Sequence, residues 1–282
     1  MTHQPLERRR WPKPSVENCV DRKPNSNLDL SFPRLNNTKH RFSNFPGDVL
    51  KNRRDVLKQL ESAIDCRMID AGIMDYSAAY QLQRQVLESV IGASPSTLIL
   101  CEHFPVFTLG RLASEANILV SQEAIEKAGA KIIRVDRGGE ITFHGPGQLV
   151  IYPIFRLSDF GKDLKIFMQK LEQVAVDLLA SFGIVANSKK GKRGVWVKAQ
   201  KIASIGIGVR KWVSFHGMAI NINTDLRFFS MIRPCGLEVE MTTMEMVLKK
   251  EIDLVEAKKE VLRCFARHFY LEFFEGENNV ES

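Results

Sequence analysis

Arg137-Gly138-Gly139-Glu140-Ile141-Thr142-Phe143-His144-Gly145-Pro146-Gly147-Gln148 lies between two apolar runs and constrains everything around it. Two adjacent glycines and a later Gly-Pro-Gly step let a backbone approach a ligand without Cβ collisions. Exposed N–H groups in such turns stabilise an oxyanion or a phosphate. The spacing is neither a dinucleotide fingerprint nor a phosphate loop, and no Gly-Lys-Ser/Thr follows. Lys131 to Val135 reads as a strand feeding this run, and Leu149 to Ile154 as the strand leaving it.

Two further segments carry chemistry. In Arg233-Pro234-Cys235-Gly236, the flanking proline and glycine argue for a tight loop that would present the thiol to a substrate. A lone cysteine is nonetheless more often a small core residue than a nucleophile. In Lys201-Ile202-Ala203-Ser204-Ile205-Gly206, a lysine opens an apolar strand. Such a lysine is usually a solvated end; partly desolvated, it becomes a general base and favours a neighbouring thiolate. His144 and His216 each precede glycine and read as pocket lining rather than proton-transfer groups, with no acidic partner evident in sequence to orient them. Ser204 and Thr142 lack a nucleophile-elbow pattern.

Outward from these segments, the chain reads as a mixture of strands and helices. Arg67 to Ile69, Thr97 to Cys101, Val106 to Leu109, Gly194 to Val197, Lys201 to Val209 and Val213 to Ile222 read as strands. Asp75 is placed to cap a helix to Ile91, with Tyr80, Val86, Leu87 and Val90 as its buried stripe. Ser121 caps a short helix that Gly129 stops. Asp163 to Phe182 is amphipathic, with Leu164, Phe167, Met168, Leu171, Val174, Ala175, Leu178 and Leu179 on its apolar face. A last helix covers Asp253 to Phe269, before a frayed Glu277-Asn278-Asn279 tail. Hairpin-spaced strands with long helices predict an α+β sheet with helices packed on it.

The chain has 282 residues and a formal net charge of +7. Residues 1–60 hold 13 Lys+Arg against 6 Asp+Glu, so the basic excess lies there and residues 61–282 are neutral. This proline-rich start reads as a disordered extension, with Val49, Val56, Leu57, Leu60 and Ile64 spaced as a short helix leading into the domain. Glu7, Glu17, Asp21 and Asp29 argue against a transit peptide, and no signal peptide is visible. No apolar run is long enough to span a bilayer. Cys19, Cys66, Cys101, Cys235 and Cys264 are odd in number and lack metal-ligand spacing, which suggests free thiols in a reducing, cytoplasmic compartment.

Taken together, the segments resemble the lipoyl(octanoyl) transferases from about Ile69 to Met246. The resemblance rests on Arg137-Gly138-Gly139, Thr142, His144 to Gln148, Tyr152-Pro153-Ile154, Glu102 to Arg111, Gly194 to Val197, Lys201 to Gly206, Phe215 to Asn223, Asp225-Leu226 and Pro234-Cys235-Gly236. Phe104 stands where the family more often has proline, and Arg227-Phe228 replaces a Ser-Pro step. The resemblance implies a fold shared with biotin and lipoate protein ligases, a mixed, mainly antiparallel sheet with packed helices. It implies Cys235 as the acyl-thioester nucleophile and Lys201 as the group that lowers its pKa and shuttles its proton. It implies an octanoyl site lined by Arg137, Gly138, Gly139, Glu140, Ile141, Thr142, Phe143 and His144, by Ser204, Ile205 and Gly206, and by Gly217, Met218 and Ala219.

The implied reaction moves octanoyl from octanoyl-acyl carrier protein to a lysine of lipoyl domains, in 2-oxoacid dehydrogenase E2 subunits and the glycine cleavage H protein. No cofactor, metal, nucleic acid or membrane is expected, and the chain is expected to be a monomer. The nearest alternative is an ATP-dependent lipoate-protein ligase of the same fold. A cysteine hydrolase would release free octanoate. A nucleic-acid-binding module would show a steep salt dependence.

Overall fold

Capping side chains set where the helices begin. Asp75 accepts the N–H of Ser77 at the start of α1 (Tyr76–Ile91), and Ser121 accepts from Ala124 at α2 (Gln122–Lys127). Asp163 accepts from Lys165 and Ile166 at α3 (Leu164–Ser181). Thr243 caps α4 (Met244–Leu248), and Asp253 caps α5 (Leu254–Phe269). These boundaries come from a computed structural model, which describes residues 63–234 and 239–275. The basic extension and the Glu277-Asn278-Asn279 tail lie outside the described residues, and so does Cys235. Of the residues whose spacing marks the helix expected to end at Ile64, only Ile64 itself is described, and it opens a strand.

The strands are β1 (Ile64–Met74), β2 (Ser96–His103), β3 (Val106–Leu109), β4 (Lys131–Arg134), β5 (Ile141–His144), β6 (Gln148–Ile154), β7 (Asn187–Lys189), β8 (Lys192–Val197), β9 (Gln200–Arg210), β10 (Val213–Asn221) and β11 (Leu271–Glu275). Eight form one sheet in the order β11-β1-β2-β6-β10-β9-β8-β7, and three form a second in the order β4-β3-β5. In the large sheet β1 runs parallel to β11 and β2, and the other pairings are antiparallel. The expected α+β fold with a mixed, mainly antiparallel sheet is the one observed.

Alternation places the helices on opposite faces of the sheet. Ile154 joins a core cluster with Ala79, Val86, Leu87 and Val90 of α1, together with Phe215 and Ala219 of β10. The next residue, Phe155, meets Phe167 of α3 and Phe265 and Phe269 of α5. Consecutive residues leaving a strand point to opposite sides, so the sheet is covered on both. Among the described residues no helix is long and apolar enough to cross a membrane.

Several expectations change in detail. The glycine-rich run is two turns around a strand, because Ile141-Thr142-Phe143-His144 alternates and has the β-branched and aromatic residues that suit a pleated surface. Arg67 to Ile69 is the middle of an eleven-residue strand. Tyr80 is only partly buried, and Gln83 takes its expected place inside, because positions 76, 79, 83, 86, 87 and 90 form the stripe. Leu164, in the first turn of α3, is exposed.

Candidate active site

The three segments expected to line one pocket converge. In the β9–β10 hairpin, Gly206 pairs with Gly217, Ile205 with Met218, and Ser204 with Ala219. The Arg137–Glu140 turn lies over this hairpin, with the Gly138 N–H donating to the Ile207 carbonyl at 2.9 Å. A Cβ on Gly206 would stand 2.6 Å from the Gly138 carbonyl oxygen, so only glycine lets the turn lie so close. The turn is also bonded from behind: Gly110 donates to Glu140, Arg111 to Arg137, and Leu112 to Gly139.

Arg137 is buried beneath its own turn. Its Nη2 donates to the Thr108 carbonyl at 2.7 Å and to Thr108 Oγ1 at 2.8 Å, and its Nη1 donates to the Gly138 carbonyl at 3.1 Å. Beyond the turn, β5 splits its residues by parity. Ile141 and Phe143 enter a core cluster with Phe107, Phe229 and Ile232. Phe228, one of the family departures, stacks on Phe143 with ring centroids 4.4 Å apart. Thr142 and His144 take the other face. The Glu140 carboxylate accepts from Asn117 Nδ2 at 2.9 Å.

Around His144 lies a buried cluster of histidines and tyrosines, most of it invisible to sequence reading. Tyr76 stacks against His144 at 6.0 Å, and His103 meets the same ring edge-on at 5.8 Å. His103 Nδ1 donates to the Met74 carbonyl at 3.1 Å, and Tyr152 Oη donates to His103 Nε2 at 2.7 Å. Burial pushes His103 down to about 4. Burial, with His103 and Arg137 close by, also holds His144 well below the usual histidine range.

His216 does have an acidic partner, contrary to the sequence reading. Its Nε2 donates to Asp136 Oδ1 at 2.8 Å. His216 adopts φ 55 in the middle of β10, and Gln83 of α1 accepts its N–H at 2.8 Å. Burial lowers the His216 pKa against the opposing pull of Asp136, and the His216 contact lowers that of Asp136. A cleft of about 430 Å³ opens beside this pair, bounded by Tyr76, Tyr80 and Gln81 of α1 and by Ile133, Val135 and Asp136.

Lys201 is no solvated strand end; it is 2% exposed. Its N–H donates to the Glu240 carbonyl at 2.8 Å, and its carbonyl accepts the Thr242 N–H at 2.9 Å. Its Nζ lies 5.7 Å from the centre of the Trp196 ring. Gly194, at φ 108, leaves room for this side chain, because a Cβ there would stand 2.6 Å from Lys201 Cε. The chain before Cys235 is pinned too: Arg233 donates to the Asn117 carbonyl at 2.8 Å, and Ile232 bridges Ile118. The segment carrying the cysteine thus leaves from Asn117, which is bonded to the glycine turn through Glu140, and returns beside Lys201.

A large mixed sheet covered by helices, with a glycine turn laid over a central hairpin and a buried lysine at the hairpin's start, defines an enzyme of the lipoate-protein ligase fold. Lipoate-protein ligase A bound with ATP aligns with it at a TM-score of 0.61 and 14% identity, over 76% of this chain and 89% of that one. The archaeal lipoylation system of Thermoplasma acidophilum, a bipartite lipoate protein ligase with its E2 lipoyl domain, gives 0.60 at 16% identity, over 76% and 87%. The family model of the lipoyl protein ligase A/B catalytic domain matches residues 75–266. The octanoyltransferase of Pelobacter propionicus is 42% identical over 198 residues, covering 70% of this chain and 91% of its own. That of Bacteroides fragilis is 39% identical over 206 residues, covering 69% and 93%. The chain belongs to the lipoyl protein ligase A/B family and, within it, to the octanoyltransferases, acyltransferases of protein lipoylation.

Proposed function

We propose that the enzyme loads octanoyl from octanoyl-acyl carrier protein onto Cys235 and delivers it to a lysine of a lipoyl domain, with Lys201 moving the protons. The Lys201 amine takes the thiol proton. The Cys235 sulfur attacks the thioester carbonyl carbon, and main-chain N–H groups of the glycine turns stabilise the tetrahedral oxyanion. The intermediate collapses with loss of the carrier thiolate, which takes the proton back from Lys201. The acceptor lysine, as a free amine, then attacks the acyl-enzyme carbonyl. Its excess proton passes through Lys201 as the Cys235 sulfur leaves. Thioester becomes amide, a downhill exchange that needs no nucleotide.

The observation that carries this reading is the position of Lys201: a buried amine whose main chain is bonded on both sides to Glu240 and Thr242, just after the cysteine segment. Its strand continues into Ser204-Ile205-Gly206, opposite Gly217-Met218-Ala219 and under the Arg137–Glu140 turn. In the proposal these residues, with the Arg137–Glu140 turn and the Thr142 and His144 face of β5, hold the octanoyl chain, and Ile141 and Phe143 back that strand from the core on its other face. A hydrophobic slot discriminates by about 0.8 kcal/mol per CH₂, so strict selection for length needs a closed end. The acceptors are lipoyl domains of 2-oxoacid dehydrogenase E2 subunits and of the glycine cleavage H protein.

Intact-mass measurement after incubation with octanoyl-acyl carrier protein tests the proposal. The wild-type chain gains one octanoyl group and gives it up to a lipoyl domain. Cys235→Ala gains none. An adduct that persists in the variant, or turnover that requires ATP, overturns it.

A further inference from the structure

The amide groups near His144 can be oriented without ambiguity, because each faces a main-chain carbonyl that can only accept. Gln148 Nε2 donates to the Phe143 carbonyl at 3.2 Å and to Asn221 Oδ1 at 2.9 Å. Asn221 Nδ2 donates to the Thr242 carbonyl at 3.1 Å. Gln148 Oε1 is therefore the acceptor facing His144 Nδ1 at 2.7 Å, so Nδ1 carries the hydrogen. Burial keeps this histidine neutral, which leaves Nε2 as a bare lone pair. Thr108 Oγ1 stands 3.4 Å from that lone pair. Arg137 already donates to Thr108 Oγ1, so the hydroxyl hydrogen is left to point at His144.

Every donor in this series points the same way. Arg137 donates to Thr108, Thr108 to His144, His144 to Gln148, Gln148 to Asn221, and Asn221 to the Thr242 carbonyl. The N–H of Thr242 donates in turn to the Lys201 carbonyl. Thr108, Gln148, Asn221 and Thr242 are each 2% exposed or less, and His144 is 7% exposed. Bonds aligned head to tail in a dry interior polarise one another, and a break leaves groups that water cannot satisfy.

The geometry points to Gln148 and Asn221 as positioning residues that connect the glycine turn to Lys201, fixing the tautomer of His144 and the seat of the lysine strand with one directional run of hydrogen bonds. They touch no reacting atom. They act by holding the Glu240–Thr242 segment, and with it Lys201, in register with the Arg137 turn. The link to catalysis rests on the acyl-transfer reading above; the direction of the hydrogen bonds does not.

Three measurements on the full chain test this. In a two-bond hydrogen–nitrogen correlation spectrum of histidine-labelled protein, His144 shows a protonated Nδ1 and a bare Nε2. A protonated Nε2 overturns the assignment whatever the enzyme's activity. Asn221→Asp keeps the acceptor for Gln148 but loses the donor to Thr242. It leaves the His144 tautomer intact while Thr242 amide exchange rises and kcat falls, each by about tenfold or more, at unchanged KM for the acyl donor. Gln148→Glu keeps the acceptor for His144 but loses the donor to Asn221. It gives the same kcat loss and converts His144 to an imidazolium. Wild-type exchange and kcat in both variants overturn the positioning role. If the acyl-transfer reading alone is wrong, wild type and variants alike leave octanoyl-acyl carrier protein unreacted, and the tautomer and exchange readouts still decide the run.

Discussion

The Glu102 carboxylate accepts the main-chain N–H of Gly147 at 2.7 Å, tying β2 to the turn between β5 and β6. The Gly147 carbonyl in turn accepts from the N–H groups of Ile222 and Asn223 and from the Thr224 hydroxyl, so Gly147 is held from both sides. At φ 78, with Asn223 O only 2.6 Å from where a Cβ would stand, no other residue fits there. Glu102→Ala leaves that amide without its partner and should cost about 2 kcal/mol of unfolding free energy, whereas Glu102→Gln keeps an acceptor and should cost about half as much. Urea titration of the two variants checks this ordering; equal losses would mean that the carboxylate is not what holds the turn.

Gly206→Ala tests the seat of the glycine turn. The new methyl group would meet a main-chain carbonyl, which cannot swing aside as a side chain end does. The Arg137–Glu140 turn must lift from the hairpin. The fold should survive, since the large cores lie elsewhere, but kcat/KM for octanoyl transfer should fall on the order of 100-fold. An alanine variant with unimpaired turnover would show that the turn does not need its close approach to β9.

Most helices were legible because their signals are local. Asp75, Asp163 and Asp253 each precede an apolar stripe, and each caps the helix expected of it. Strand β5 was hidden because glycines on both sides made its four residues read as loop. Edge strand β7 carries Asn187-Ser188-Lys189, with neither apolar alternation nor β-branched residues to mark it. The site divides the same way. Lys201 and the glycine turn announce themselves by residue type. The contact of Asp136 with His216 spans 80 positions and is made by a left-handed residue inside a strand, for which the sequence carries no sign. The bonds from Gln148 to Asn221 and on to Thr242 exist only once β6, β10 and the segment after the cysteine are assembled.

Acid should weaken the fold through its buried histidines, from about pH 6.5 downward. His103 is neutral in the native state and protonates only at about 4, whereas an unfolded histidine does so near ~6.5. Between these values the unfolded chain binds the extra proton, so stability falls as pH falls through that window. At about 1.36 kcal/mol per pH unit, His103 alone should contribute a loss of about 3 kcal/mol by pH ~4. His144 and His216, also lowered by burial, act in the same direction. Urea midpoints from pH 7 to pH 4 should fall steadily, and His103→Gln should flatten the slope. A slope unaltered by that substitution would place the protonation elsewhere.

Lys201→Met separates the proton-moving role from mere packing. Methionine keeps an unbranched buried chain against Trp196 and Gly194 but supplies no amine. On the proposed mechanism, the Cys235 thiol must then ionise unaided, with a reference pKa of about 8.5. Single-turnover acylation by octanoyl-acyl carrier protein should therefore be strongly suppressed near neutral pH and recover as pH is raised through that value, because the thiolate fraction grows tenfold per unit below its pKa. The second half-reaction should not recover equally, since the attacking lysine still lacks an acceptor for its proton, and acyl-enzyme should accumulate at high pH. Were acylation in the variant to follow the wild-type pH profile, Lys201 would be a packing residue, and the base would have to be sought elsewhere in the site.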